Sequence, residues 1–259
     1  MKTDYKQPLG AIITHFQLTK ATESEISEIK HLLANHGVLV FRKQQCTDED
    51  FILFLKKMGP LTFTVGEVSV EHHPNLNVVT NVGRKEPPKS RFHTDSSYFT
   101  KPPAYTALRA VTLPKNGGDT LFTNQYWAYE TLPAAVKDRL ANRTFKHVVS
   151  GLDLSDYEEA EKAADHPAFL KHPVSGKTAL YMSTPLRCVS VSGLEEEEGK
   201  KLISLCYEHS IQEANIYRHQ WQAGDVVIWD NGCTLHKADH SQVEGDRTFH
   251  RGMSLGYNA

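Results

Sequence analysis

The stretch from Arg91 to Ser96 holds the residues best suited to chemistry, His93 and Asp95, which are separated by Thr94. If this stretch is extended, residues two apart project from the same face, so the imidazole and the carboxylate point the same way. These two groups can form two legs of a metal tripod, since two histidines and one carboxylate suit non-heme Fe(II) and leave positions open. The pair alone is a weak signal in a chain with 14 histidines. A plain His–Asp hydrogen bond is the alternative interpretation.

Two later segments supply further candidates. The segment from residue 224 to 236 contains the apolar strand Val226–Trp229, continues through Asp230-Asn231 and ends at His236, and Arg247 and Arg251 follow 11 and 15 residues later. Between this run and His93 lies the turn-like segment Pro114-Lys115-Asn116-Gly117-Gly118-Asp119-Thr120. A distant histidine can complete the tripod, and arginines can bind anions near it.

Taken together, these pieces resemble the taurine dioxygenase family of Fe(II)/2-oxoglutarate-dependent oxygenases. The match runs from about Gly10 to Gly256, nearly the whole chain. The pieces occur in the family's order: His93-Thr94-Asp95, the Gly-Gly-Asp-Thr segment, His172-Pro173-Val174-Ser175-Gly176-Lys177, the Trp-Asp-Asn strand, then His236 with its two arginines. Any one piece could arise by chance, but five in order make a specific signal.

The resemblance implies that His93, Asp95 and His236 hold Fe(II), and that 2-oxoglutarate and O2 are the cosubstrates. Arg247 is expected to bind the distal carboxylate of 2-oxoglutarate, because a guanidinium matches a carboxylate with two parallel hydrogen bonds. Thr120, 27 residues after His93, matches the family's hydroxyl partner for the same carboxylate. The alternative for Thr120 is an ordinary strand threonine.

The substrate end of the site departs from the family pattern. Arg251 lies four residues after Arg247 on one predicted strand and matches the family's arginine for the acidic group of the primary substrate. Family members that use taurine carry a histidine and a tyrosine in the loop after Gly59-Pro60-Leu61, where this chain has Thr64 and Glu67. A glutamate would repel a compact sulfonate, so we expect a small substrate with a carboxylate or similar anion other than taurine. An alternative is that Glu67 points to solvent and has no contact with the ligand.

The resemblance therefore implies a dioxygenase that hydroxylates or desaturates its substrate and converts 2-oxoglutarate to succinate and CO2. Halogenating relatives lack the metal-binding carboxylate, and Asp95 is present here. Two other classes of protein compete with this interpretation. A non-catalytic metal-binding jelly roll, such as a sensor, would not need Arg247 or Thr120, and a zinc hydrolase would need a general base instead.

Composition excludes several other classes. The formal net charge of −2 argues against a general nucleic-acid binder, which would carry a basic excess. The four cysteines are scattered without a CxxC pair, which makes structural zinc or a disulfide scaffold unexpected. No apolar run has the length of a signal core or a membrane span. We expect a cytoplasmic protein of one domain over residues 1–259 that acts on a small molecule, and whether it forms a homo-oligomer stays open.

The elements around the candidate residues indicate how they are positioned. Apolar spacing predicts helices over about Glu23–Asn35, from Thr47, over Gln125–Leu132 and Ala134–Ala141, and over Leu194–Ile211. Strands are expected at Val38–Phe41, Leu76–Thr80, Thr178–Met182, Tyr217–Trp221, Val226–Trp229 and Arg247–Leu255. Ala104–Val111 and Thr120–Asn124 are predicted to pair as a hairpin across Asn116-Gly117-Gly118. Ser150–Pro167 is expected to be an acidic insertion, helical or disordered.

Many short strands with glycine-rich turns and a few helices indicate a closed core of two sheets with helices packed outside. The fold class is then α+β, mainly β. The family resemblance makes the core a double-stranded β-helix, or jelly roll, with flanking helices.

Overall fold

The computed structural model describes residues 1–64, 67–84, 90–150 and 161–257. Within these ranges the helices are α1 (Glu23–His36), α2 (Asp48–Met58), α3 (Gln125–Thr131), α4 (Ala134–Leu140) and α5 (Glu196–Ser210). The strands are β1 (Lys2–Tyr5), β2 (Ala11–Thr14), β3 (Val38–Phe41), β4 (Leu61–Thr62), β5 (Ser69–Val70), β6 (His73–Thr80), β7 (Tyr105–Thr112), β8 (Thr120–Asn124), β9 (Thr144–Val148), β10 (Ala163–Pro167), β11 (Phe169–Lys171), β12 (Thr178–Leu180), β13 (Cys188–Val191), β14 (Ile216–His219), β15 (Val226–Asp230), β16 (Thr234–Ala238) and β17 (Thr248–Ser254). None of the helices in these ranges has the length and apolarity needed to cross a membrane.

Two sheets enclose the centre of the molecule. The large sheet has nine strands in the order β1-β2-β3-β15-β7-β17-β6-β5, with β4 paired to β17, and the small sheet has the order β14-β8-β16. Phe122 of the small sheet shares a buried apolar cluster with residues of the large sheet, among them Trp229 and Phe249. These facing sheets with external helices match the predicted jelly roll.

The central strands of the large sheet are buried on both faces. In β3, Val38 and Val40 belong to the cluster between the sheets, whereas Leu39 and Phe41 belong to a second cluster that includes residues of α1 and α2. β15 divides in the same way, since Val227 and Trp229 face inward and Ile228 faces the helices. Alternation of side chains along a strand explains why these segments read as continuous apolar runs.

Helices α1 and α2 begin where the sequence predicts. Thr22 accepts a hydrogen bond from the backbone N–H of Glu25, and Thr47 does the same for Asp50, each completing a capping box. The first residue of α2, Asp48, then accepts from Arg109 Nη2 of β7 at 2.6 Å and lies 2.7 Å from His250 Nδ1 of β17. The start of α2 is thereby fixed to the two strands beside the candidate site.

The predicted hairpin between Ala104–Val111 and Thr120–Asn124 is wrong. β7 lies in the large sheet between β15 and β17, whereas β8 lies in the small sheet between β14 and β16. The turn at Asn116–Gly118 carries the chain from one sheet to the other. Gly117, with φ +68°, packs so closely that an added Cβ would lie 2.4 Å from the carbonyl oxygen of Gln242. The turn therefore needs glycine, but for a crossover and not for a hairpin.

The expectation of an insertion at Ser150–Pro167 is wrong for its last residues. Ala163–Pro167 forms β10, which pairs antiparallel with β9, whose other edge pairs with β13. Residues 151–160 lie outside the described residues, as does the Pro87-Pro88 pair that precedes the stretch from Arg91 to Ser96.

Because α2 lies close to β17 at Gly252, we predict that adding a side chain at Gly252 lowers the stability of the protein. A Cβ at this position would lie 2.2 Å from Leu55 Cδ1 of α2 and 3.0 Å from Leu76 Cδ2 of β6, both in the same buried cluster. Overpacking a filled core costs typically about 1–3 kcal/mol, so we expect Gly252→Ala to lower the free energy of unfolding by about that amount. Urea denaturation of the purified protein measures it.

Gly199→Ala in α5 is the matched control. Its added Cβ would meet only ordinary contacts, the nearest 3.4 Å away at the backbone nitrogen of Val191, and alanine is favoured over glycine in helices by about 0.5–1 kcal/mol. This variant should be as stable as the parent or more so. Equal stability of Gly252→Ala and the parent would contradict the packing described here.

Candidate metal and cosubstrate site

The three predicted metal ligands meet at one edge of the small sheet. His93 and His236 pair through two backbone hydrogen bonds of 3.0 and 2.9 Å, and their ring centroids lie 4.2 Å apart. Asp95 reaches both rings, with Oδ1 3.6 Å from His93 Nε2 and Oδ2 3.7 Å from His236 Nε2. The structure therefore brings together residues more than 140 positions apart in the sequence, as predicted.

Hydrogen bonds orient these ligands. His93 Nδ1 lies 2.8 Å from the carbonyl oxygen of Arg91, so Nδ1 donates to this carbonyl and Nε2 faces Asp95. Thr106 Oγ1 donates to Asp95 Oδ2 at 2.8 Å and itself accepts from Asn231 Nδ2 at 2.9 Å. Asn231 in turn accepts from Trp229 Nε1 at 3.1 Å. A line of side chains across β7 and β15 thus fixes the carboxylate.

The protonation states also fit a divalent metal. Burial opposes ionisation of Asp95, but the neighbouring His236, His93 and Arg251 together hold the pKa of its carboxyl well below the usual value. Burial lowers the pKa of His236 to about 3. At neutral pH Asp95 is therefore a carboxylate and His236 a neutral imidazole, which are the forms in which these groups bind metals. Two imidazoles and one carboxylate are a donor set suited to Fe(II) with open positions.

Arg247 lies beside the Gly118–Thr120 segment, where strand β8 of the small sheet begins. Arg247 precedes β17, and its Nε donates to the carbonyl oxygen of Gly118 at 3.0 Å, two residues before Thr120. Its guanidinium lies over the Phe249 ring at 4.2 Å. Thr120 Oγ1 accepts from Trp221 Nε1 at 3.0 Å, which leaves the hydroxyl hydrogen for another acceptor.

The guanidinium of Arg247 is a buried cation. The residue is 2% exposed, and within the described ranges no carboxylate forms an ion pair with it. Burial lowers the pKa of Arg247 to about 10, so the group is still charged at neutral pH. The carboxylate of Asp119 acts on Arg247 only from beyond ion-pair distance, so an anionic ligand beside the buried guanidinium would stabilise the protein.

Strand register gives the distance from Thr120 to the level of the metal-ligand candidate His236 along the small sheet. Phe122 of β8 pairs with His236, and Thr120 pairs with Ala238. Thr120, Phe122 and His236 therefore share one face, and Thr120 lies two residues, about 7 Å, further along the strand. A five-carbon dicarboxylate can span this length, with its 2-oxo acid group at the metal and its distal carboxylate at Arg247.

The candidate substrate residues line a cavity of about 130 Å³ on the other side of Asp95. Thr64 Oγ1 lies 3.3 Å from Ser96 Oγ, and Arg251 Nη1 lies 4.0 Å from Asp95 Oδ1. Arg251 Nη2 donates to Glu67 and, at 3.2 Å, to Asn77 Oδ1. Glu67 therefore does not point freely to solvent, because its side chain pairs directly with Arg251. Binding of a substrate anion by Arg251 stays a prediction and requires Glu67 to move.

Three residues of the site were missed by sequence reasoning. Thr106 and Asn231 support Asp95, and Arg187 lines the same cavity as Glu67 and Arg251. Asn231 belongs to the Trp-Asp-Asn motif and Thr106 to a predicted strand, which could have marked them as neighbours of the site. Arg187 follows Pro185-Leu186 without any spacing that indicates a role.

A second group of possible metal ligands is explained by hydrogen bonds alone. His172 Nε2 lies 3.1 Å from Asp230 Oδ2, and its Nδ1 accepts from the backbone N–H groups of Val174 and Ser175 at 3.2 Å. Asp230 also accepts from Tyr257 and from the N–H of Gly232. Burial, followed by the nearby Asp230, raises the pKa of the Cys233 thiol well above its usual value. The His172 motif is thus a buried structural network.

Comparison with known proteins gives one consistent result. The family model "Taurine catabolism dioxygenase TauD, TfdA family" matches residues 2–253. The chain is 30% identical to the alpha-ketoglutarate-dependent 2,4-dichlorophenoxyacetate dioxygenase of Cupriavidus pinatubonensis, over 90% of this chain and 89% of that protein. It is 29% identical to the pentalenolactone F synthase of Streptomyces arenae, over 88% and 86%. The crystal structure of a taurine dioxygenase from Burkholderia xenovorans superposes with a TM-score of 0.84 at 29% identity, covering 99% of this chain and 91% of that one.

Proposed function

Because this chain belongs to the TauD, TfdA family of Fe(II)- and 2-oxoglutarate-dependent dioxygenases, we propose that it oxidises a small organic acid by hydroxylation or desaturation. The observation that carries the proposal is the buried Arg247, which donates to Gly118 beside Thr120, and Thr120 lies about 7 Å along the strand from the Phe122–His236 pair. A sensor that only binds metal, or a zinc hydrolase, has no use for this cation.

We assign the metal to His93, Asp95 and His236. When bound there, Fe(II) with O2 and 2-oxoglutarate supplies the oxidising chemistry, and 2-oxoglutarate leaves as succinate and CO2. The side chains of this protein supply position. Asp95 is held by Thr106, and His93 by the carbonyl of Arg91, so both ligands keep one orientation throughout turnover.

We assign the distal carboxylate of 2-oxoglutarate to Arg247 and Thr120. The Nη atoms of Arg247 and the free hydroxyl hydrogen of Thr120 can donate to the same carboxylate, since both groups lie beside the Gly118–Thr120 segment. Phe249 and Trp221, whose ring centroids lie 4.4 Å apart, cover this end and exclude water. Exclusion of water strengthens the charge-assisted hydrogen bonds that hold the cosubstrate.

The substrate class is proposed from the charges in the cavity and from the relatives. The cavity contains Arg187 and Arg251, and the relative from Cupriavidus pinatubonensis is a dioxygenase of 2,4-dichlorophenoxyacetate, an organic acid. Succinate formation with Fe(II), 2-oxoglutarate and a panel of carboxylic acids, amino acids and sulfonates tests the proposal. Succinate release stimulated by carboxylic acids is expected, and stimulation by none of them would contradict it.

We predict that taurine stimulates little succinate formation. Glu67 already occupies Arg251, and its carboxylate would face a sulfonate entering from the cavity. Repulsion between like charges in a confined site disfavours such a ligand. The measurement is the initial rate of succinate release with taurine beside that with the best carboxylic acid of the panel. A higher rate with taurine would show that the Glu67 loop does not exclude the sulfonate.

A further inference from the structure

The two arginines that line the substrate cavity differ in their partners. Arg251 donates to Glu67 and Asn77 and lies 4.0 Å from Asp95, so two carboxylates already neutralise it. Arg187 Nε donates to Ser150 Oγ at 3.3 Å, and its Nη1 lies 3.5 Å from the carbonyl oxygen of Thr94. Over the described part of the chain, Arg187 has no carboxylate partner. It is the cation of this cavity whose charge is available to a ligand.

The backbone of Arg187 is fixed, so its side chain starts from a rigid base. Its N–H donates to the carbonyl oxygen of Thr184 at 2.8 Å, and its carbonyl oxygen accepts from the N–H of Val148 at 2.8 Å. The next residue, Cys188, begins β13, which pairs with β9. A guanidinium on such a base can hold an anion with little loss of side-chain freedom.

The direction of the side chain places its charge close to the metal ligands. Thr94, whose carbonyl oxygen lies near Nη1, is the residue between His93 and Asp95. The guanidinium has five N–H donors in a planar fork, and the two weak contacts described above use no more than two of them. A carboxylate could therefore bind it with two hydrogen bonds while the adjoining carbon atoms face His93 and Asp95.

We propose, building on the function proposed above, that Arg187 recognises the acidic group of the primary substrate, an organic carboxylate. Arg251, paired with Glu67, then holds Asp95 in place and does not bind the substrate anion. The position beside Thr94 implies that the oxidised carbon lies within a few bonds of the acidic group. Glu67 keeps competing anions away from Arg251, so one carboxylate binds in one orientation.

The test measures binding of matched acid and amide probes, without turnover. Protein loaded with Zn(II) and 2-oxoglutarate is titrated calorimetrically with phenoxyacetate, phenoxyacetamide and ethanesulfonate. The variants are Arg187→Gln, Arg187→Lys, the double variant Glu67→Gln with Arg251→Gln, and Arg139→Gln as a control. Arg139 is paired with Glu198 on the outer helices and lies outside the cavity. Thermal melting and the affinity for 2-oxoglutarate establish that each variant is folded.

We expect the parent to bind phenoxyacetate at least tenfold more tightly than the amide, since only the acid offers the guanidinium a charged hydrogen-bond partner. Arg187→Gln should abolish this preference, Arg187→Lys should keep part of it, and the double and control variants should keep it. The affinity for ethanesulfonate distinguishes a site specific for carboxylates from a general anion site. Equal loss of affinity for phenoxyacetate and ethanesulfonate in Arg187→Gln supports the role of Arg187.

Two outcomes would overturn the proposal. The first is that the preference for the acid over the amide survives in Arg187→Gln or disappears in the double variant. Either result would show that Arg251 binds the substrate anion. The other is a parent that binds the acid no better than the amide. The oxygenase function is tested separately by the succinate assay described above, and the cosubstrate site by the metal-dependent binding of 2-oxoglutarate to the same samples. Failure of the proposed function is therefore distinguished from failure at Arg187.

Discussion

Asp95→Ala is expected to abolish succinate formation and to lower the affinity for Fe(II) strongly, while the folding stability changes much less. Asp95 supplies the only carboxylate among the three described ligands, and its oxygens lie 3.6 and 3.7 Å from the two ligand nitrogens. Loss of a residue that only supports a ligand costs roughly 10- to 100-fold in metal affinity, and loss of the ligand itself should cost more. His93→Ala and His236→Ala should behave alike. Metal content after anaerobic dialysis against Fe(II) gives the affinity.

Thr106→Val provides a graded comparison. This change keeps the volume of the side chain but removes the hydroxyl that donates to Asp95 Oδ2 at 2.8 Å. Metal affinity should fall by roughly 10- to 100-fold while succinate formation persists at saturating Fe(II). Asp4→Ala, at an exposed pair with Lys6, controls for loss of an aspartate. An Asp95→Ala protein that turns over like the parent would remove the metal assignment.

Arg247→Ala raises the KM for 2-oxoglutarate by a large factor and leaves Fe(II) affinity unchanged. Truncating one member of a buried charged pair costs about 2–5 kcal/mol, which is roughly 30- to several-thousand-fold in affinity. Arg247→Lys should recover only part of this loss, because an ammonium cannot donate two parallel hydrogen bonds to one carboxylate. Steady-state kinetics with varied 2-oxoglutarate and fixed substrate measures the effect.

Arg218→Ala is the matched control for this variant. Arg218 belongs to β14 of the small sheet, is exposed, and pairs with Asp119 and Asp239. Its loss should change the KM for 2-oxoglutarate little, since exposed ion pairs contribute at most about 1 kcal/mol. A normal KM in Arg247→Ala would instead place the distal carboxylate elsewhere.

The proximity of His93, Asp95 and His236 was predictable from one local rule and one ordered set of motifs. The two-residue period of a strand puts His93 and Asp95 on one face, and the family order supplied His236. The capping boxes at Thr22 and Thr47 were equally local, since each lies within four residues. Apart from the place of His236, these features depend on neighbours in sequence, and the structure agrees with them.

Features that depend on distant contacts could not be predicted. The Asn116-Gly117-Gly118 turn fits a hairpin or a crossover equally well, and the contact of Gly117 with Gln242 decides between them. Glu67 and Arg251 are separated by 184 residues, so their pairing follows from how the loop folds onto β17. The support of Asp95 by Thr106 and Asn231 likewise joins residues 125 apart.

The most direct test of the central claim is an anaerobic titration of the protein with Fe(II) and 2-oxoglutarate, followed by visible absorption. Chelation of a 2-oxo acid by Fe(II) at His93, Asp95 and His236 should produce a charge-transfer band. The band should saturate at one equivalent of metal and require a higher 2-oxoglutarate concentration in Arg247→Ala. Absence of the band in the parent protein, or a band that persists in Asp95→Ala, would contradict the site described here.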